Sequence, residues 1–219
     1  MHSDYSNIIC IHPKDNTTDF LKPLGEIFHV NYLIVEDNEE AHAEILLLIE
    51  SFTEKSLVVF LGHGHTYGLA SSNTESFTTQ VFIDITKANK LFTNHDVLLL
   101  ACRSSEFIGN INSVYNSIVG FGNILSSLDE VSNEALYETG FYRNLEQLDI
   151  DYFNKSYIDA ISKSFMLVFE NKIKFNQISS YISYFLNKSI NLILRQMNKE
   201  NRVEVARLLF EFRNEMVLK

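Results

Sequence analysis

Two residues of reactive types, a histidine and a cysteine, each end a short apolar run in this chain. His63 follows "SLVVFLG", and Cys102 ends "DVLLLAC". A cysteine becomes a strong nucleophile as its thiolate, and a nearby imidazole supplies the base or the ion-pair partner that this needs. The pair is therefore a candidate for nucleophilic catalysis, provided that the fold brings the two residues together.

The separation of the two residues fits neighbouring strands of a parallel sheet. They are 102 − 63 = 39 residues apart, which is room for a loop, a short helix and a strand, as a right-handed parallel crossover requires. The carboxyl ends of parallel strands lie at one edge of the sheet, where open α/β sheets bind their ligands. We expect both side chains at that edge, which is called the rim below.

The elements that must position the pair alternate along the first 125 residues. Almost wholly apolar runs predict strands, and the stretches between them predict helices. The predicted strands are NIICIH, VNYLIV, SLVVFL, DVLLLAC and SIVGFG, and the predicted helices are TTDFLKPLGEIF, TKANKLF and NEEAHAEILLLIESF, the last with Ala41, Ile45, Leu48 and Ile49 on one face. Strands this apolar belong to a mostly parallel sheet covered on both faces. The sequence therefore predicts a three-layer α/β/α sandwich.

A helical segment follows from about residue 151. Its three helical patterns contain neither Gly nor Pro, and in the last of them Val203, Ala206, Leu209 and Phe210 form an apolar stripe. We divide the chain into a core, residues 1–150, and a helical C-terminal extension, residues 151–219. The extension either completes the layer over the sheet or docks a partner chain.

Charge and composition limit the classes of function. Residues 1–150 hold seven Lys and Arg against 21 Asp and Glu, a balance of −14, whereas residues 151–219 hold eleven against seven, a balance of +4. The acidic first part argues against direct binding of nucleic acid and is compatible with basic peptides. No apolar run spans a membrane, the N-terminus lacks a signal-peptide pattern, and two cysteines are too few for a disulfide framework. A cytoplasmic protein with free thiols is expected.

The two motifs resemble those of caspase-like cysteine peptidases, and most closely the CHAT branch, which is related to separases and gingipains. In that fold a histidine followed by glycine ends one strand, and an alanine-cysteine pair ends the next, as His63-Gly64 and Ala101-Cys102 do here. The segment SIVGFGNILSSLDEVSNEALYETGFYRNL is similar to the part of CHAT and separase-like proteins where a fifth strand leads through an acidic turn into a helix. The resemblance covers about residues 5–170 and implies a cysteine endopeptidase without cofactor or metal.

Roles for the residues follow from this interpretation. Cys102 would attack the scissile carbonyl, and His63 would deliver a proton to the leaving amine, with no third acid required. The backbone N–H groups of Gly64 and Cys102 are the candidate oxyanion donors, since glycine leaves space for the substrate. Alternate side chains diverge at the turn, so His65 is left as a rim residue that contacts substrate. Cys10, inside the first strand, is expected to be a buried apolar residue.

Substrate preference is expected to depend on an acid in the specificity pocket. Caspases carry Gln two residues before the catalytic cysteine, where this chain has Leu100, and this departure argues against a preference for Asp. Separase-like members prefer basic residues. The candidate acids are Asp129 and Glu130 after the fifth strand and Asp15 after the first; a surface-turn role for each of them is the alternative.

The implied partners are a protein or peptide substrate and a regulatory protein partner, because peptidases of this fold are controlled. Prokaryotic CHAT proteins often belong to multi-gene systems, including antiviral defence. Two other interpretations stay open. One is a catalytically silent interaction module of the same fold. The other is a TIR-like NAD-cleaving domain, to whose opening IICIHPKDNTTDFLKPLGEIF is faintly similar; its catalytic Glu would be Glu39, Glu40 or Glu44, and it leaves His63 and Cys102 without a role.

Overall fold

A computed structural model of the chain describes residues 4–137 and 144–219, with side chains given up to residue 132 and from residue 144. The strands are β1 (Asn7–Pro13), β2 (Tyr32–Val35), β3 (Ser56–Leu61), β4 (Gly64–His65), β5 (Gly68–Ala70), β6 (Val81–Asp84), β7 (Asp96–Leu100), β8 (Ser117–Gly120) and β9 (Val217–Leu218). The α-helices are α1 (Lys22–Glu26), α2 (Glu39–Glu50), α3 (Ile85–Leu91), α4 (Ser104–Phe107), α5 (Leu128–Tyr137), α6 (Gln147–Phe169), α7 (Ile178–Leu194) and α8 (Arg202–Asn214). Short 3-10 helices cover Asn16–Leu21, His29–Asn31, Ile108–Asn110 and Phe175–Gln177.

The main sheet has the strand order β2-β1-β3-β7-β8-β9, and its first five strands are parallel. Alternate residues of its central strands enter two hydrophobic clusters on opposite faces. Val59 and Leu98 join a cluster with helices α1, α5, α6, α7 and α8, while Val58 and Val97 join a cluster with α2, α3 and α4. The predicted three-layer α/β/α sandwich with a mostly parallel sheet is confirmed.

A second sheet, which the sequence did not predict, follows directly after His63. Strands β4, β5 and β6 form a three-stranded antiparallel sheet. Two of these strands have only two and three residues, so they are too short to show a periodic pattern of their own. The long connection between the histidine and the next helix is thereby an ordered part of the rim.

The first predicted helix is broken in the structure. A 3-10 helix covers Asn16–Leu21, and the short helix α1 follows with Pro23 in its first turn. Proline has no N–H to donate and a fixed φ, so it fits the start of a new helix better than the interior of a longer one. As a consequence, the chain just after β1 turns sharply within the rim.

Two predicted apolar helix faces are partly wrong. In α8 the side chains of Val203 and Phe210 are 53% and 47% exposed, and the buried face consists of Val205, Ala206, Leu208, Leu209 and Phe212. In α2, Ile45 and Ile49 are buried as expected, but Leu48 is exposed and His42 takes its place in the interior. Both helices have apolar residues on more than one side, so periodicity alone does not determine which side faces the core.

The helices after residue 150 share a core with the sheet. The boundary drawn at residue 150 falls inside α6, and side chains of α6, α7 and α8 join the same hydrophobic cluster as β3, β7 and β8. The chain then returns to the sheet, where β9 pairs antiparallel with β8. No helix in the described ranges combines the length and the apolar character needed to cross a bilayer.

Candidate functional site

The register of β3 and β7 brings the two motifs to the same place on the rim. The pairing runs from Leu57 opposite Asp96 to Leu61 opposite Leu100, a constant offset of 39 residues, which is also the separation of His63 and Cys102. Beyond the strands, the Gly62 N–H donates to the Leu100 carbonyl at 3.2 Å. The backbone that carries the histidine therefore runs beside the backbone that carries the cysteine.

Gly64 lies against the cysteine motif. A Cβ atom at this position would be 2.8 Å from the Cβ of Ala101 and 2.9 Å from the carbonyl oxygen of Cys102. Both distances are too short for real side-chain contacts, so only glycine fits without a shift of the backbone. The sequence-based reason for this glycine was space for substrate; the structure adds that the two motifs themselves occupy the space.

The His63 ring is held from the side of β1. Its Nε2 atom lies 2.7 Å from Thr17 Oγ1 and 3.6 Å from Asp15 Oδ2. Asp15 is 5% exposed, and its Oδ1 accepts hydrogen bonds from the Thr17 N–H at 2.8 Å and the Thr17 hydroxyl at 2.6 Å. The carboxylate assigned to substrate binding is thus buried next to the histidine, and Thr17 is a site residue that sequence reasoning missed.

Cys102 is held from the opposite side. Its thiol donates a hydrogen bond to the Ile124 carbonyl, with a distance of 3.4 Å between Sγ and the oxygen. Burial raises the pKa of Cys102 to about 11, and the nearby Glu130 carboxylate adds to the effect. The thiol is therefore protonated at neutral pH. Within the part of the chain that the structure describes, no hydrogen bond joins His63 to Cys102.

The turn after Cys102 is fastened to the end of β8. Arg103 has a φ of 56°, in the left-handed region, and its N–H donates to the Gly122 carbonyl at 2.8 Å. The buried Ser104 hydroxyl donates to the Leu99 carbonyl at 2.7 Å and accepts from the Phe121 N–H at 2.8 Å. A left-handed non-glycine residue costs about 1–2 kcal/mol, and these hydrogen bonds hold the strained turn beside the thiol.

The two predicted oxyanion donors have N–H groups that the secondary structure leaves available. Gly64 pairs with Leu69, and the bond from the Ala70 N–H to the His63 carbonyl makes this a pair without mutual hydrogen bonds. The Gly64 N–H therefore points away from β5. Neither it nor the Cys102 N–H takes part in a loop or turn hydrogen bond among the described residues, so both can donate to a ligand oxygen.

The two acids after β8 have different surroundings. Glu130 accepts from the N–H groups of Ser126 at 2.7 Å and Ser127 at 3.1 Å, while its own N–H donates to the Ser127 hydroxyl. This is a capping box at the start of α5. Asp129 is exposed in the same first turn. Glu130 thus has a structural role, and its charge also acts on Cys102.

Two buried polar groups of α6 near Cys102 were not found from the sequence. The Tyr157 hydroxyl and the Asn154 Oδ1 atom are buried and have no hydrogen-bond partner among the described residues. The Asn154 amide N–H donates to the Ser126 carbonyl at 3.0 Å. Burial raises the pKa of Tyr157 well above its usual value, and the charges of Cys102 and Glu130 add to this. Nothing in an amphipathic helix distinguishes such residues from ordinary core residues.

The remaining candidates lie on the surface. His65 is exposed on the hairpin that joins β4 and β5, and its ring stacks on Tyr67 with 5.1 Å between the ring centres. Glu39, Glu40 and Glu44, the candidates of the TIR-like interpretation, are exposed on α2. Among the side chains that the structure describes, no group of three His, Cys, Asp or Glu residues could hold a metal ion.

Comparison with known proteins gives no match. A scan of the chain against protein-family models finds no matching family, and a search of curated proteins finds no similar sequence. The function is therefore inferred from the site itself.

Proposed function

We propose that the chain is a cysteine endopeptidase in which Cys102 is the nucleophile and His63 carries the proton. The main support is the arrangement of the rim: the two residues follow the carboxyl ends of adjacent parallel strands, in register, with Gly64 packed against the Cys102 carbonyl. The available N–H groups of Gly64 and Cys102 add support, because acyl transfer needs two donors where the oxyanion forms.

The reaction would proceed in two halves. In acylation, the Cys102 thiol loses its proton to His63 as Sγ bonds to the scissile carbonyl carbon, whose oxygen becomes an oxyanion between the two N–H groups. The carbon–nitrogen bond then breaks as His63 returns the proton to the leaving amine. In deacylation, water attacks the thioester with His63 as base, releasing the carboxylic acid product and the thiol.

The resting thiol must leave the Ile124 carbonyl before this can happen. A rotation about χ1 of Cys102 moves Sγ without moving the strand, and staggered alternatives are available to a cysteine side chain. Once desolvated substrate and imidazole surround it, the thiol proton passes to His63 in the attack itself. This avoids a standing ion pair, in agreement with a thiol whose pKa is raised.

We further propose a preference for a basic side chain before the cleaved bond. The surroundings of Cys102 are rich in acceptors, namely the Glu130 carboxylate, the Ile124 carbonyl and the unpartnered Asn154 Oδ1. A charge-assisted hydrogen bond in such a site contributes roughly 1.5–3 kcal/mol, or about ten- to a hundredfold in rate. Of the three candidate acids, Glu130 is the one best supported for this role, because its charge already acts on Cys102.

The wider proposal follows the family resemblance. It includes a protein substrate, a regulatory protein partner and a cytoplasmic location, with a prokaryotic defence or signalling system as the setting. A binding partner could act on the rim by turning the thiol away from Ile124, which is the step that the resting structure lacks.

The decisive experiment is covalent labelling with a biotinylated peptidyl acyloxymethyl ketone carrying Arg next to the reactive group. Wild type should be labelled at Cys102, as located by mass spectrometry, whereas Cys102→Ala and His63→Ala should not. Cys10→Ala and His65→Ala are the matched controls, since one retains the candidate nucleophile and the other the candidate base. Equal labelling of wild type and Cys102→Ala would exclude the peptidase and favour the silent interaction module.

Specificity is tested with a peptide library and two neighbouring variants. Glu130→Gln retains an oxygen for the capping hydrogen bonds but removes the charge, while Asp129→Asn removes an equal charge from the exposed face of the same turn. Loss of Arg and Lys preference in the first variant alone supports the proposed pocket. A preference of wild type for Asp, or for a bulky apolar residue, would contradict it.

A further inference from the structure

We propose that Asp15 and Thr17 position His63 for proton transfer, and that the Asp15 carboxylate balances the charge of the protonated imidazole. Asp15 would then be a positioning residue rather than a substrate-binding one. This inference rests on the proposed peptidase function of His63 and Cys102. It concerns an Asp15–Thr17–His63 chain of contacts, which is called the relay below.

A count of protons assigns the tautomer of His63. The Thr17 hydroxyl has one proton, which it donates to Asp15 Oδ1 at 2.6 Å. At its other contact, 2.7 Å from His63 Nε2, the Thr17 oxygen must therefore accept. Neutral His63 then carries its proton on Nε2 and a lone pair on Nδ1. Since Nδ1 has no hydrogen-bond partner among the described residues, it is the atom that can take the proton of Cys102.

The second oxygen of Asp15 is suited to the protonated state of His63. Asp15 Oδ2 is buried, has no hydrogen-bond partner among the described residues, and lies 3.6 Å from His63 Nε2. A buried carboxylate oxygen without a partner is costly. When Nδ1 takes a proton, a positive charge appears on the ring beside this oxygen. The relay is thus complementary to the imidazolium that forms during catalysis, as is required of groups that raise the rate.

Topology explains why these residues can act together. In the order β1-β3-β7, three adjacent parallel strands end at the rim and lead to Asp15 and Thr17, to His63, and to Cys102. The base is thereby placed on the middle strand, between its positioning carboxylate and the nucleophile. During the reaction the proton of the thiol would pass to Nδ1 and on to the leaving amine, while the Nε2 proton stays in its bond to Thr17.

The test uses the full chain with the variants Asp15→Asn and Thr17→Val. The matched control is Asp19→Asn, which removes an equal charge from the same 3-10 helix, where Asp19 is half exposed and paired with Lys22 at 2.8 Å. Cleavage of a peptide chosen from the library gives kcat and KM, and nitrogen-15 NMR of the histidine rings gives the tautomer. Thermal unfolding shows whether each variant is folded.

The relay predicts that Asp15→Asn lowers kcat by roughly 100-fold or more while KM changes less than about threefold. Wild-type His63 should show the Nε2–H tautomer, and both relay variants should lose its predominance, whereas Asp19→Asn should match wild type. A His63 ring with the proton on Nδ1 in wild type, or a kcat of Asp15→Asn within about threefold of wild type, would overturn the relay. If Asp15→Asn does not fold, Thr17→Val decides by the same two measurements.

Failure of the relay and failure of the proposed function give different results. Labelling of Cys102 at an unchanged rate in Asp15→Asn would remove only the relay. Absence of labelling in wild type would remove the peptidase, and the relay's catalytic role with it.

Discussion

The histidine half and the cysteine half of the candidate site are built from different materials. His63 is fixed by a chain of polar contacts from β1, through Thr17 to a buried carboxylate. Cys102 lies instead at the margin of the larger hydrophobic cluster, and its thiol is bound by a backbone carbonyl of the loop after β8. The base is therefore oriented in the resting chain, whereas the nucleophile is protonated and turned away. Control of activity has most to gain on the cysteine half.

The two halves also depend on different parts of the chain. The histidine half needs only the first two neighbouring parallel strands, β1 and β3, and the residues just after them. The cysteine half depends on the C-terminal region as well, because Glu215 accepts a hydrogen bond from the Asn123 N–H at 2.9 Å and β9 pairs with β8. The loop that carries Ile124 is thus tied to the last residues of the chain, 152 or more residues after His63 in sequence order (215 − 63 = 152).

The largest expected effect concerns the protonation of the thiol. Because burial raises the pKa of Cys102 to about 11, its thiolate fraction should increase about tenfold per pH unit between pH 7 and 10. The rate of iodoacetamide modification should follow this increase, while the fully buried Cys10 reacts more slowly throughout. Mass spectrometry after timed quenching gives both rates. A Cys102 rate that is already constant below pH 8 would show a thiolate paired with His63, and would erase the contrast between the two halves.

The next prediction concerns the junction of the halves. In Gly64→Ala the new methyl group would collide with Ala101 and with the Cys102 carbonyl, so the two motifs must move apart. We expect a loss of about 1–3 kcal/mol of stability, typical of overpacking, and on the order of 100-fold slower labelling of Cys102, since small displacements are costly in catalysis. Gly109→Ala is the control, because a Cβ there would meet only the end of the Lys219 side chain, at 3.9 Å. Equal behaviour of the two variants would contradict the close contact.

A smaller effect is expected beneath the relay. His12 is 2% exposed and bonds to Thr18 at 2.9 Å and to Tyr32 at 2.7 Å, and burial lowers the pKa of His12 to about 4. The unfolded chain therefore binds a proton at this residue at higher pH than the folded chain does. The corresponding stability is complete above about pH 6.5 and is lost toward pH 4, by up to about 3 kcal/mol.

The variant His12→Gln isolates this contribution. Urea unfolding of both proteins at pH 7 and pH 4 gives the difference in their free energies of unfolding, and this difference should shrink by most of that amount as the pH falls. A difference that is independent of pH would mean that His12 is protonated equally easily in the folded and unfolded chains.

Much of the fold could be predicted because its central strands are almost wholly apolar. Runs such as SLVVFL and DVLLLAC permit one environment, a parallel sheet covered on both sides, and the spacing of 39 residues then fixes their neighbourhood. The second sheet and β9 could not be predicted, since strands of two to four residues carry no period. The buried face of α8 failed for another reason: its apolar residues do not form a single stripe, so tertiary packing decides.

Within the candidate site, residue types were easier to predict than contacts. The sequence singles out His63 and Cys102 because reactive residues rarely end apolar strands by chance. It cannot show that Asp15 is buried against His63, because a carboxylate after a strand is usually solvated. Thr17 gives one weak signal, its position two residues after Asp15, where a hydroxyl and an N–H can bond back to the carboxylate.

The smallest expected effect tests whether the cysteine half really contains unpartnered polar groups. The Tyr157 ring is wholly buried and stacks on Phe212 with 4.6 Å between the ring centres, but its hydroxyl has no hydrogen-bond partner among the described residues. Removing an unsatisfied buried hydroxyl removes a desolvation cost and no bond. Tyr157→Phe should therefore change the free energy of urea unfolding by less than about 0.5 kcal/mol, or stabilise the chain.

Two companion variants give this small number its meaning. Tyr157→Ala removes the ring as well and should cost about 3–5 kcal/mol. Thr17→Val removes a hydroxyl that does have partners, on the histidine half, and should cost more than Tyr157→Phe, by about 1 kcal/mol. If Tyr157→Phe were the costlier of the two hydroxyl deletions, the Tyr157 hydroxyl would have a partner in the folded chain, and the cysteine half would be as fully bonded as the histidine half. If the expected order is found, the polar atoms beneath Cys102 are left available for a substrate side chain, and Glu130→Gln then shows whether that side chain is basic.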